Sequence, residues 1–279
     1  MRILAAFLFL GVYGLWAQTS FRPYQAIASH ITPKGIGYRE GYTSLALFFA
    51  WPKKNSEWTF LADVRSHAFN EGKIAINSGL AVRYQNDLRL YGVNAYYDFR
   101  RSHASYNQIS LAFESLGRRW DFRLNGYLPV GKREATYGTA FLGIQDRVLV
   151  FSHKREFALA SVQAEAAFHG DEGILPYSFS LGPYWLHGRG KQAFGAETRF
   201  TLDLGTYLRL EANVSYDHFF RWIGQGRLAL NIPFGPRRQN EPLLAKLSLK
   251  RTCRREIIPL YRDRFKAPAI DKNGSFYFF

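Results

Sequence analysis

Hydrophobic and polar residues alternate along most of this chain. In KIAINSGLAVRY, Ile74, Ile76, Leu80, Val82 and Tyr84 lie on one side of an extended backbone, with Lys73, Asn77, Gly79 and Arg83 on the other. Ile109, Leu111 and Phe113 oppose Gln108, Ser110 and Glu114, and Trp120, Phe122 and Leu124 oppose Asp121, Arg123 and Asn125. The pattern returns around Phe194–Asp203 and Leu208–Asp217. Period two predicts strands with one apolar face each. The expected strands are 42–51, 57–68, 73–84, 88–99, 106–116, 119–129, 137–151, 157–168, 177–187, 192–203, 207–217 and 222–233. Only 137–151 loses its alternation, beyond Gly143. Connections such as QND, LGRR and DLGT are short, as an up-and-down antiparallel meander requires.

A soluble sandwich and a membrane barrel both alternate, so the polar face must separate them. That face carries Gly, Ser and Asn beside charges of both signs. Its acids are Asp63, Asp98, Glu114, Asp121, Glu165, Glu197, Asp203, Glu211 and Asp217; its bases are Arg65, Lys73, Arg83, Arg123, Arg199, Arg209 and Arg227. Opposite charges among small residues suit a narrow lumen in which they pair across the bore. Asp98, Glu114, Asp121, Arg123, Glu197, Arg199, Arg209, Glu211, Asp217 and Arg227 are expected to face that lumen. Aromatics gather near strand ends (Trp51, Trp58, Tyr84, Tyr97, Phe99, Trp120, Trp185, Tyr216, Trp222), as membrane-interface girdles would. Aromatics are 17% of the chain while mean hydropathy is only −0.23. After the N-terminal segment no apolar run approaches the ~18–20 residues of a spanning helix. The expected fold is all-β: a transmembrane up-and-down antiparallel β-barrel of about twelve strands, in the bacterial outer membrane.

The ends refine this. Arg2 followed by ILAAFLFLGVYGLW and a small residue, Ala17, reads as an export signal over residues 1–17. Residues 18–41 are expected to be a periplasmic N-terminal segment, 42–233 the barrel and 234–279 a basic tail or linker. Cys253 is the only cysteine, so no intrachain disulfide forms. The last eight residues, KNGSFYFF, place Tyr277 and Phe279 at the spacing of a strand read by barrel-assembly machinery, although Ser275 breaks the alternation. That ending supports an outer-membrane location more than it fixes the strand count.

YGVNAYYDFRRS (91–102) followed by NQISLAFESLGRRWDFRLNGYLPVGK (107–132) resembles the β-domain of inverse autotransporters, the intimin and invasin family. The resemblance rests on Gly92, Asn94, Tyr96 and Asp98, then Glu114, then Arg123, Asn125, Tyr127 and Pro129, in order. About 40 residues match well and most of the remainder loosely; KRTCRREIIPLYR (250–262) resembles the basic segment after the family's barrel. The resemblance implies a twelve-stranded barrel that passes its C-terminal linker back through its own pore and displays a passenger. Phe234 to Phe279 is 279 − 233 = 46 residues, too few for an Ig-like domain of roughly 100, so no such passenger is expected within this sequence.

Candidate chemistry is sparse. The seven histidines show no HxH or HExxH spacing, and GRGKQA (188–193) follows no βα pattern. Ser66–His67 and Ser102–His103 are neighbours that a strand would point to opposite faces. No catalytic, cofactor-binding or metal site is expected, and no enzyme. The net charge of +15 divides into +7 on residues 234–279 (11 Lys/Arg against 4 Asp/Glu) and +8 on the remainder. No nucleic-acid motif accompanies it, so the expected partners are outer-membrane lipid and lipopolysaccharide, barrel-assembly machinery, and a passenger or surface partner. The leading reading is an inverse-autotransporter-like translocator, standalone or lacking its passenger, serving surface display and adhesion. The alternatives are a small porin-like channel and a soluble exported β-domain that binds surface polymers. The basic tail, residues ~240–262, is expected to plug a lumen richer in acids than in bases.

Overall fold

The structure, a computed structural model, describes residues 22–53, 56–145, 148–170, 175–236 and 243–268. The export segment 1–17 and the KNGSFYFF ending lie outside the described residues. Twelve antiparallel strands close a barrel. They are β1 (Tyr24–Thr32), β2 (Tyr42–Pro52), β3 (Trp58–Phe69), β4 (Ile74–Gln85), β5 (Leu90–Arg101), β6 (Ser105–Leu116), β7 (Trp120–Val130), β10 (Ala160–Gly170), β11 (Tyr177–Gly188), β12 (Lys191–Leu204), β13 (Leu208–Asp217) and β14 (Arg221–Phe234). Sequential strands pair throughout, except that β7 pairs β10. Between those two, β8 (Glu134–Gln145) and β9 (Val148–Ala158) leave the barrel and form a three-stranded sheet with β15 (Leu260–Pro268). One helical turn, α1 (Leu243–Ser248), follows β14.

Eleven of the twelve expected strands correspond to barrel strands; the segment 137–151 does not. It spans the end of β8 and the start of β9, and its lapse in alternation past Gly143 has a physical source. Phe141, Leu142 and Ile144 are all exposed, so both faces of the hairpin are free, and two register shifts interrupt the β8–β9 pairing. The twelfth barrel strand is β1, inside the segment assigned to the periplasm at 18–41, so the barrel begins near Tyr24 rather than at 42. It escaped notice because its alternation is inverted in size. Ile27 and Ile31 point inward while Ala26, Ala28 and His30 take the outer face. β1 closes the barrel by pairing β14 from Tyr24↔Phe234 to Thr32↔Gly226.

Burial confirms one apolar and one polar side per strand. On β5 alternate residues are buried and exposed from Leu90 to Arg101, with Tyr91, Val93 and Tyr97 outside and Asn94, Tyr96 and Asp98 inside. Aromatic contacts ring both ends of the outer wall. Trp58–Tyr84, Trp120–Phe168 and Phe49–Trp51 lie at the end where β1 begins, here the near end. Trp185–Phe194 and Tyr216–Trp222 lie at the far end. Such girdles mark the two membrane interfaces.

Leu111 is 60% exposed on the outer wall and its neighbour Ser110 is 4% exposed inside. Leu111→Arg is therefore expected to cost about 2–4 kcal/mol in a folding titration in lipid. Ser110→Arg, at a position facing the lumen, is expected from the sequence to be much milder. The structure corrects that expectation, because Ser110 Oγ accepts a 2.8 Å hydrogen bond from Arg254 of the tail. A second guanidinium there meets Arg254 directly, so Ser110→Arg should also be harmful, through loss of the tail rather than of the barrel.

Candidate functional site: the threaded lumen

The segment after β14 turns back into the barrel from the near end. The residues from Leu247 to Leu260 include Leu249, Thr252, Arg254, Glu256, Ile257 and Ile258, all buried. An extended chain has backbone groups to satisfy, and the barrel supplies donors from its wall. Arg83 of β4 donates to the carbonyls of Leu247, Ser248 and Lys250, at 3.3, 2.9 and 2.5 Å. This also places a cation against the C-terminal carbonyls of the α1 turn. Arg65 of β3 donates to the Thr252 carbonyl (3.1 Å), Asn77 to that of Glu256 (2.8 Å) and Arg100 to that of Ile258 (2.5 Å). Four wall side chains thus hold the tail backbone at successive heights.

Side chains of the tail interlock with the same wall. Arg254 forms a two-pronged pair with Asp98 (2.8 and 2.5 Å) and lies 4.1 Å over the Tyr96 ring. Asp98 also accepts from Asn77 and Gln108. Glu256 accepts from Arg65 (3.0 Å), Arg227 (3.1 Å), Arg251 (3.2 Å) and the Tyr42 hydroxyl (3.3 Å). Asp63 pairs with both Arg65 and Arg251. Apolar residues fill between them: Leu249 among Phe48, Ala50, Leu61 and Ala81, and Ile257 among Ile31, Tyr42, Phe69 and Ala75.

The expected lumen residues take the following places. Asp98 and Arg227 hold the tail directly, and Glu114 anchors Arg83 at 2.6 Å. Arg123 bridges Asp121 (2.6 Å) and Glu165 (2.7 Å). Arg199 joins Glu165, Glu197 and Glu211 and meets the Cys253 sulfur at 2.5 Å. Asp217 accepts from the Tyr184 hydroxyl at 2.6 Å. Arg209 pairs with Asp203 where both are partly exposed. Lys73 lies in the β3–β4 turn and pairs with Glu71, outside the lumen. A cavity of about 180 Å³ remains beside the tail, bordered by Arg199, Arg209, Glu211, Asn213 and Arg227. Sequence reasoning put Asn77 on the polar face and Tyr96 in the family motif without a role for either and passed over Arg100; all three sit on the inward parity of their strands and touch the tail or its partners.

At the far end the chain emerges as β15 and pairs β9 from Leu260↔Ala158 to Pro268↔Val150. Asp263 accepts from Arg155 at 2.8 Å twice and from Lys191 at 2.9 Å. The hydrogen-bonded Arg155 guanidinium is the first cause that lowers the Asp263 carboxyl to about 2, so this clamp keeps its charge through the physiological range. Tyr261 packs against Phe157, Phe219 and Phe220, and His153 stacks on Phe265.

A closed barrel with apolar residues outside, aromatic girdles and a charged, filled interior defines an outer-membrane β-barrel protein. Residues 35–148 match the inverse autotransporter β-domain, the family that the motifs at 91–132 resemble. No curated protein matches this sequence. Among solved structures, a membrane-protein chain reported under "Unveiling the Mechanism Behind the in-meso Crystallization of Membrane Proteins" shares the fold. Its TM-score is 0.64 at 10% identity, over 86% of this chain and all of that one. The KdgM porin aligns at TM-score 0.43 and 7% identity, over 76% of this chain and 99% of its own. Outer membrane phospholipase A from Escherichia coli aligns at 0.40 and 12%, over 77% and 93%. The last two likenesses are too loose to carry an argument about function. Among the described residues no cluster of His, Cys, Asp and Glu is arranged to hold a metal ion.

Proposed function

We propose that this barrel is a translocator that carries its own C-terminal chain through its lumen and holds it at the cell surface. The observation that supports this is the path of residues 247–268: in at the near end, along the bore, and out onto β9 at the far end. The far end faces outward in this reading, because it carries the longest connection, residues 131–159, whereas the near-end turns such as 86–89 and 117–119 are short. The reading has no catalytic step. Its role is surface display, and adhesion follows where the displayed chain binds a partner.

An epitope added after Phe279 tests it. Intact cells should bind antibody to that epitope, while the same epitope in the near-end turn at Asp87 should react only after permeabilisation. The reverse pattern would invert the orientation, and an epitope at Phe279 hidden in intact cells would overturn display.

A further inference from the structure

The two rims differ in how their charges are used. At the far rim the acids Glu71, Glu134 and Asp263 are already paired with Lys73, Arg189 and Arg155, and exposed Glu40 has no base on it. Lys34, Arg39, Arg101, Lys132, Arg133 and Arg221 are exposed there, and none makes a side-chain hydrogen bond or ion pair with another described residue. At the near rim the unpaired bases Lys53 and Arg118 are accompanied by the unpaired acids Glu57 and Asp87. Among the described residues, pairing thus leaves the far rim with six uncompensated bases against Glu40, a larger excess than at the near rim, where Arg22 and Arg89 bond only neutral groups.

Two of these cations sit over the lipid-facing wall. Arg101 ends β5 opposite Ser105 of β6, and Lys132 follows Gly131 just beyond the end of β7. Below them the outer wall offers Tyr97, Ile109 and Leu128, at 51, 45 and 56% exposure, in one row across β5, β6 and β7. Tyr97 donates its hydroxyl to Asn107 at 2.8 Å, which keeps a polar step between the apolar row and the cations. Neighbouring strands are about 4.8 Å apart, so β5 and β7 set the two charges roughly 10 Å apart across β6. That arrangement has an apolar floor, a polar step and two separated cations above it.

We propose that Arg101 and Lys132, above Tyr97, Ile109 and Leu128, bind the phosphorylated disaccharide headgroup of an outer-leaflet glycolipid of the lipopolysaccharide kind. A single-phosphate lipid fits less well, since it engages one cation and leaves the other without a partner. The lipid's acyl chains lie on the apolar row and its phosphates meet the two bases. Arg133, next in the chain to Lys132, adds a third positive charge beside the site. The inference rests on the outward orientation proposed above only for its biological setting, because both rims are open to added lipid in detergent.

The test is titration of the full-length protein in detergent with a fluorescent bis-phosphorylated lipid A. The double variant Arg101→Glu, Lys132→Glu should bind at least about tenfold more weakly, and added salt should weaken the native protein's binding. Lys53→Glu, Arg118→Glu at the other rim should bind as the native protein does. Both cation pairs are exposed and unpaired, so heat-modifiable gel migration should show folded barrels in every case. Equal binding of the dephosphorylated lipid, or of phosphatidylglycerol, would overturn the proposal, as would competition by inorganic phosphate at equal concentration. Failure here with a surface-exposed Phe279 epitope would leave display standing, and the reverse result would separate the two in the other direction.

Discussion

Deleting everything after Arg238 should turn a poor conductor into a measurable channel in planar bilayers. The expectation follows from what occupies the bore. Between Leu247 and Ile258 the tail is held by Arg83, Arg65, Asn77 and Arg100 on its backbone and by Asp98, Asp63 and Arg227 on its side chains. Beside it lies a cavity of about 180 Å³, much of it bordered by arginine and glutamate side chains. Removing the tail leaves a twelve-stranded lumen lined by charged and small residues, which fills with water. Single-channel current should rise by roughly tenfold or more over the full-length protein. The barrel itself should survive, since its closure depends on β1 and β14 and not on the tail. Equal conductance with and without the tail would refute the plug and favour the plain-channel reading.

Glu256→Ala should release the tail almost as effectively as cutting it. This one carboxylate receives three guanidinium groups, two from the wall (Arg65, Arg227) and one from the tail (Arg251). Surface pairs of this kind contribute little, but these side chains are largely enclosed. Removing one partner of a buried pair leaves the other charge without compensation, at about 3–5 kcal/mol. Arg65 retains Asp63, and Arg227 retains only Ser29 among its hydrogen-bond partners. Cys253 reports the outcome. It is the only thiol and lies beside Arg199 and Glu165 in the filled lumen. A bulky maleimide should react slowly with the native protein and about a hundredfold faster or more in the variant, since each 1.4 kcal/mol is a factor of ten. An unchanged labelling rate would show that Glu256 does not hold the tail.

Much of the barrel was legible because lipid outside and charge inside impose a strict parity on each strand. Where the parity was strong, as on β4 to β7, strand limits came within two residues of those observed. It failed at β1, where alanines face lipid and isoleucines face the lumen, because size rather than polarity separates its two sides. It failed again at 137–151, where a strand-like sequence pairs outside the barrel and no face is buried in a common medium. The two errors cancelled in the count, so twelve strands emerged from a partly wrong set. In the lumen, inward parity identified the charged residues but not their partners. Arg254 with Asp98, and Glu256 with Arg65, are joined over sequence separations that alternation cannot reach. Asn77 and Tyr96 read as ordinary inward residues until the tail lies against them.

The pairing of β15 with β9 has a mechanical consequence. β9 is fixed to the barrel at its Ala158 end, while the chain beyond Pro268 departs from the opposite end of the same ladder. A force drawing that chain away from the membrane therefore loads the rungs in shear. All of them share the strain, as does the Asp263–Arg155 clamp, and none can be peeled open ahead of the others. Behind the ladder, the same tension reaches the Asp98–Arg254 and Glu256 contacts only after β15 has slid. The fold thus resembles a rope cleated at the rim and belayed inside the bore, strongest against a pull directed away from the far rim.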